Sequence, residues 1–185
     1  MSTVSVPTGI LTGTWTVDPV HSNVGFAVKH MGIATVRGAF TEFKGTIEIG
    51  EHLSTAKAYG TVNVESIETN DPQRDSHLRS PDFLDAPHYP QLRFESTRMV
   101  ALDDQTFRIT GNLTIRGITN EIPLHAEVQG TDIDPWGNTR IGLEVTGQLS
   151  RADQGMTFNQ ALGSGNMLVG DKVNLALDIS AVKAA

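Results

Sequence analysis

Five consecutive residues, Asp18-Pro19-Val20-His21-Ser22, carry a carboxylate, an imidazole and a hydroxyl, the groups of a hydrolytic triad. Nucleophile, base and orienting acid must line up in space, and residues this close in sequence rarely do so. Asp18 and Ser22 read instead as turn formers between two strands, and His21 as a buried, hydrogen-bonded structural residue. A second cluster comprises Arg74, Asp75, His77 and Arg79, followed by His88. Arg74 and His77 are three apart and share a helical face, where they could meet a phosphate or carboxylate head group; alternatively Arg74 pairs with Asp71 or Asp75 and ties the helix down. His77, His88 and Asp82 or Asp85 have the ligand types of a metal site, but their spacing matches no metal motif, so no metal is assigned. Gly163-Ser164-Gly165-Asn166 is glycine-rich, yet it precedes a strand and lacks the lysine of a phosphate-cradling loop, which leaves a flexible hairpin. The chain has no cysteine, so thiolate nucleophiles, thiolate metal sites and disulfides are excluded. No catalytic residue and no cofactor is assigned.

The elements that must position these groups show in the apolar period, which is two. It runs through Val24, Phe26, Val28; Ile47, Ile49; Val62, Val64; and Leu92, Phe94. It lengthens in Phe107 to Ile115, Ile122 to Val128, Ile141 to Leu149 and Val173 to Ala181, with polar residues such as Arg108, His125, Glu144 and Asn174 between. Each strand therefore has one dry and one wet face. Turn residues separate the strands at Asp103-Asp104, Gly117 to Asn120, Asp132 to Asn138 and Gly163 to Gly170, gaps too short for crossover helices. The expectation is an all-β fold, an antiparallel up-and-down barrel of about eight strands, with a sandwich as the alternative, because closure abolishes exposed edges. The short helical interlude is Asp71 to Asp85: Asp71 caps a helix beginning at Pro72, Ser80 caps a turn beginning at Pro81, and Leu78, Phe83 and Leu84 cover an end or flank of the barrel.

A barrel of about eight strands can be packed solid or can hold one small ligand. The inward set includes Ala58, Gly60, Gly111, Ala126, Gly147 and Ala181, and the whole chain has only seven Phe, two Trp and two Tyr, little bulk for long strands. An elongated apolar cavity is expected, with a packed core whose glycines serve curvature as the alternative. A ligand there would touch Phe26 and Val28, Val62 and Val64, Phe94, then Phe107, Ile109 and Leu113, then Leu124, Leu143, Val145 and Leu175. His30 continues the inward face of Val24, Phe26 and Val28 and would be a polar group at the cavity end. Such an interior binds by removing hydrocarbon from water, about 0.8 kcal/mol per methylene, and any polar head must stay at the mouth.

With 21 Asp+Glu against 14 Lys+Arg the net charge is -7, which on average repels a nucleic-acid backbone and an anionic membrane surface. No run of about 20 apolar residues spans a membrane. Residues 1–12 read as a flexible segment before a single domain at 13–185, and Met1 to Gly13 lacks the basic and apolar regions of a signal peptide, so a cytoplasmic location is expected.

Several local patterns together resemble the YceI-like family, a lipocalin-like group: Gly13-Thr14-Trp15, Asp18 to Ser22, Val28-Lys29-His30, Phe40 with Phe43-Lys44-Gly45, Arg74, His77-Leu78 and Asp82-Phe83. Tyr89-Pro90, Phe94, Gly111 to Thr119 and Asp171-Lys172-Val173 complete the likeness, while an aromatic is expected where Gln154 stands. The resemblance implies an antiparallel barrel whose pore holds a polyisoprenoid, with a quinone or diphosphate as its head. It also implies transport rather than catalysis, and often a homodimer. An enzyme acting on such a lipid through a histidine, or a packed structural or stress-related barrel, are the competing functions.

Overall fold

The computed structural model describes residues 12–185, so the flexible segment expected at 1–12 lies, apart from Thr12, outside the described residues. The strands are β1 (Gly13–Val17), β2 (Asn23–His30), β3 (Ala34–Phe40), β4 (Phe43–Ile49), β5 (Lys57–Asn63), β6 (Ile67–Glu68), β7 (Gln91–Ala101), β8 (Thr106–Ile115), β9 (Ile118–Ile133), β10 (Thr139–Ser150) and β11 (Val169–Lys183). Hydrogen bonding runs β1-β4-β5-β7-β8-β9-β10-β11 and returns from β11 to β1, a closed eight-strand antiparallel barrel.

The other three strands extend that ring. β11 is long enough to pair with β1 through Ala181 to Lys183 and with β2 through Val173 to Asp178, so β1 and β2 are one stave broken at Asp18–Ser22. In the same way β3 pairs with β2 while β4 pairs with β1, and β6 pairs with β3 while β5 pairs with β4. The breaks are stitched by side chains, which satisfy backbone groups that the ladder leaves unpaired. Asp18 Oδ1 accepts from Val20 N, Ser22 Oγ donates to Ser180 O and accepts from Ser180 N, and Ser66 Oγ accepts from Glu42 N.

Between β6 and β7 lies α1 (Pro72–Arg79), started by Asp71, whose carboxylate accepts from Gln73 N and Arg74 N. Ser80 ends it, and Ser80 Oγ accepts from Asp82 N in the next turn. Leu84 and Ala86 then enter the upper core with Phe40, Val64, Ile67, Ile115, Leu149, Met156 and Val173, and Phe83 is buried at the cavity wall. Leu53, Phe107 and Ala126, with Trp15, Ile141 and Ala181, close the lower end. The β8–β9 turn is tighter than the Gly117 to Asn120 expected: Arg116 and Gly117 alone make it, both at positive φ, and Ile118 already belongs to β9.

Candidate functional site

The inward faces enclose a cavity of about 520 Å³, within the range of roughly 300–1,000 Å³ for small-molecule sites. Ile109, Leu113, Leu124, Leu143, Leu175 and Leu177 point into it from successive strands and stay only partly buried, because they face the cavity rather than one another. Register carries them around the wall: Met99 opposes Ile109, Ile109 opposes Leu124, Gly147 lies between Leu124 and Leu175, and Leu175 opposes Phe26. A bulge between Ser96 and Arg98 shifts β7 by one residue, which keeps Met99 facing inward after Leu92 and Phe94 and ends the visible period there. At Gly45, opposite Gly60, the wall carries no side chain on either strand, and a shallower depression of about 370 Å³ adjoins it at Lys44, Tyr59 and Arg93.

Of the residues expected at the cavity, Phe26, Val28, Val62, Phe94, Ile109, Leu113, Leu124, Leu143, Val145 and Leu175 line it, as do His30, Arg74 and His77. Val64 and Phe107 do not. β5 stops at Asn63, whose side chain accepts from Glu65 N and starts a one-turn 3-10 helix, so Val64 packs into the upper core. Phe107 enters β8 at the lower end and packs on Leu53 and Ala126 in the floor.

The polar groups sort by geometry. His21 Nδ1 bonds Asp18 Oδ2 at 2.7 Å, but the ring is exposed rather than buried, since the turn carries it outward. With Ser22 Oγ committed to the Ser180 backbone, the three side chains form a turn clasp and not a triad. His21 and the Arg140 guanidinium hold Asp18 at about 2, and Arg140 also bonds Asp134 at 2.8 Å. Arg74 pairs with neither Asp71 nor Asp75: its Nε and Nη2 donate to Thr69 Oγ1 and Thr69 O at 2.7 and 2.6 Å. Asp75, buried, accepts from the Thr69 backbone and hydroxyl instead. His77 Nε2 donates to Asp82 at 2.8 Å and His88 Nδ1 to Asp85 at 2.8 Å, in separate pairs. Among the described residues no three His, Asp or Glu side chains converge as metal ligands.

The upper end is shaped by His77 and Phe83, which the sequence marked, together with Phe158 and Arg151, to which it gave no role at the cavity. His77, Phe83 and Phe158 form a triangle of rings with centroids 4.9 to 5.3 Å apart. Arg151 lies 5.7 Å from the Phe83 ring centroid and donates to the carbonyls of Met156, Phe158, Val169 and Gly170, pinning the 151–168 loop against the barrel. Burial pushes its guanidinium pKa down, and the Asp171 charge opposes this. Arg151 follows Leu149 on the inward parity of β10, so the alternation did mark it. Phe158 and Leu168 sit in a loop without period, where nothing marks a lining residue.

This fold and cavity have counterparts. The sequence profile of the YceI-like domain matches residues 15–181. The chain belongs to the YceI-like family. A UPF0312 protein of Pectobacterium atrosepticum is 39% identical over 138 residues, covering 74% of this chain and 71% of the relative. Protein YceI of Salmonella arizonae is 38% identical over 138 residues, covering 74% and 72%. Among solved structures, the Campylobacter jejuni YceI protein superposes with a TM-score of 0.72 at 28% identity, over 85% of this chain and 90% of that one. BcnA of Burkholderia cenocepacia gives 0.77 at 20% identity, over 89% and 98%. A polyisoprenoid-binding domain from Saccharophagus degradans, implicated in plant cell wall breakdown, gives 0.70 at 13% identity, over 92% and 98%. These last two likenesses concern the fold.

In this YceI-like chain the quoted motifs divide between cavity wall and scaffold: Val28-Lys29-His30, Phe43-Lys44-Gly45 and His77-Leu78 line the cavity, and others hold the barrel together. Trp15 of Gly13-Thr14-Trp15 is fully buried in the floor, and Asp171 fastens Ser150 Oγ and Ala152 N. Where an aromatic is expected, Gln154 is buried with its Oε1 lacking a hydrogen-bond partner. Among the described residues no helix is long and apolar enough to cross a membrane.

Proposed function

We propose that this YceI-like chain is a non-catalytic carrier of a long-chain amphipath, foremost a polyisoprenoid with a quinone or diphosphate head. The carrying observation is the cavity of about 520 Å³, whose inner surface is almost entirely apolar although Lys29, His30, Arg74, His77 and Arg151 reach its edge. An interior of this kind offers no nucleophile–base pair and gains free energy with each methylene removed from water, about 0.8 kcal/mol, so long chains are favoured. The tail lies along Ile109, Leu113, Leu124, Leu143 and Leu175, and the head rests at the upper rim near His30, Arg74 and His77, where water and donors remain within reach. The name of the Saccharophagus degradans domain, a polyisoprenoid-binding protein of the same fold, supports the ligand class.

Native mass spectrometry of gently purified protein tests the proposal. The expected result is a bound species of isoprenoid mass, or stoichiometric uptake of an isoprenoid quinone or prenyl diphosphate from detergent. A chain that carries no such species and takes up neither compound would refute it.

A further inference from the structure

We infer that the upper end of the barrel is a docking face for an anionic lipid bilayer, which would set the cavity mouth against the membrane. Two tips meet there. Met31 and Gly32, both at positive φ, turn β2 into β3, and the loop around Gly163–Met167 is tied to them by Met31 N donating to Leu168 O and Asn166 Nδ2 donating to Met31 O. Beside this junction stand Ile33, 76% exposed, and Met167, 46% exposed. His30, Val36, Leu168 and Val169 line the cavity at the same end, so the apolar tips flank its entrance.

Charge selects the occupant. The protein carries -7, yet residues 23–41 contain Lys29 and Arg37 and no Asp or Glu, and residues 154–170 contain no Lys, Arg, Asp or Glu. Glu68, opposite Ala39, and Asp171, beyond Gly170, lie below the tips, and further acids of this end stand around α1, where Asp71 caps the helix, Asp75 is held by Thr69, and Asp82 and Asp85 are paired with His77 and His88. The lower end is the internal contrast. It also exposes large apolar side chains, Trp136 at 80% and Ile133 at 67%, but Asp103, Asp104, Asp132 and Asp134 accompany them. An anionic surface repels that end and attracts the two tips of the upper one, where residues 23–41 and 154–170 together bring cations and no acid. Local distribution thus reverses what net charge gives on average. An apolar tip with flanking cations and no acids matches the interfacial region of a bilayer, where hydrocarbon and anionic head groups lie side by side.

The inference rests on the carrier reading only for its purpose, and the test keeps the two apart. The 185-residue protein without added ligand is sedimented with phosphatidylcholine vesicles prepared with and without phosphatidylglycerol. Binding is expected to the phosphatidylglycerol vesicles alone and to weaken with salt. Lys29→Ala and Arg37→Ala should each lower the partition coefficient roughly fivefold. Ile33→Asp and Met167→Asp, at exposed positions that leave the fold intact by circular dichroism, should abolish binding, whereas Trp136→Asp should not change it. Ile33→Asp should still take up isoprenoid quinone from detergent while taking it up more slowly from vesicles. Vesicle binding with no uptake from either source would sink the carrier reading and leave the docking face standing. Parent protein that stays in the supernatant with phosphatidylglycerol vesicles, or Ile33→Asp that binds like the parent, would overturn the inference. So would light scattering in which Ile33→Asp turns a dimer into a monomer while the parent ignores vesicles, since the tips would then be an interface between two copies.

Discussion

Replacing Leu124 with tryptophan puts bulk where the ligand's tail is proposed to lie. Leu124 points into the cavity beside Gly147, and its Cδ2 already stands 2.6 Å from the place a Cβ on Gly147 would take, so a larger ring has room over the glycine. The substitution adds about six heavy atoms, enough to displace about five methylenes of a bound chain, or about 4 kcal/mol and about a thousandfold in Kd. Because Leu124 is only partly buried, the ring enters open volume and the overpacking cost of about 1–3 kcal/mol seen in filled cores should not arise. Thermal unfolding should therefore be unchanged or shifted upward. Binding is read by titration with an isoprenoid quinone under native mass spectrometry. His125→Trp, the next residue and outward-facing, is the control and should bind like the parent. A folded Leu124→Trp variant with unchanged Kd would show that the tail does not occupy this cavity.

Arg140→Ala removes the partner of two carboxyls. His21 and Arg140 hold Asp18 at about 2 against an ordinary 3.8; at Asp134 burial pushes upward, but Arg140 and the Asn138 and Trp136 amides outweigh it and leave it at about 2. Depressed carboxyl pKa values stabilise the fold above about pH 4 and lose that contribution as pH falls towards 2. The variant should accordingly melt below the parent at pH 7, and the gap should close between pH 4 and 2; a constant gap would show that charge is not its source. Asp71→Ala deletes the cap of α1 and should cost about 1 kcal/mol in chemical denaturation. Gly111→Ala places a Cβ 2.4 Å from Phe94 Cζ and 2.8 Å from the Glu95 carbonyl, which should cost about 1–3 kcal/mol, measured the same way.

The alternation of Phe107 to Ile115, Ile122 to Val128, Ile141 to Leu149 and Val173 to Ala181 was enough to orient four staves, because a period of two admits only one inward face. It misled at Val64, where Asn63 hydrogen-bonds the backbone ahead of it and ends the strand, a competition between side chain and ladder that apolar pattern does not register. Phe107 was given the right face and the wrong depth, since period fixes the side of a strand but not the height along the barrel. Arg74 was singled out for its charge, yet the partner it found is Thr69, five residues back and outside the helix, a contact set by how β6 meets α1. Phe158 and Leu168, which the 151–168 loop contributes to the lining, had no period to reveal them.

Counting small residues suggested a roomy interior, but the glycines act in two different ways. At Gly38 and Gly111 the missing Cβ is replaced by a neighbour: the Phe26 ring lies over Gly38 and the Phe94 ring over Gly111, each with a ring carbon 2.4 Å from where a Cβ would stand. These glycines let two of the few aromatic rings lie flat on the wall, so ring bulk stays out of the axis. At Gly60 the backbone itself closes the space, with the Lys44 carbonyl 2.5 Å from where a Cβ would stand, while at Gly45, opposite it, the Val17 side chain does so at 2.8 Å. There the wall thins. Cavity volume therefore depends less on the number of small residues than on where they stand relative to the aromatics. A chain of the same composition with Gly38 and Gly111 exchanged for its alanines would turn both rings inward and narrow the space available to a ligand.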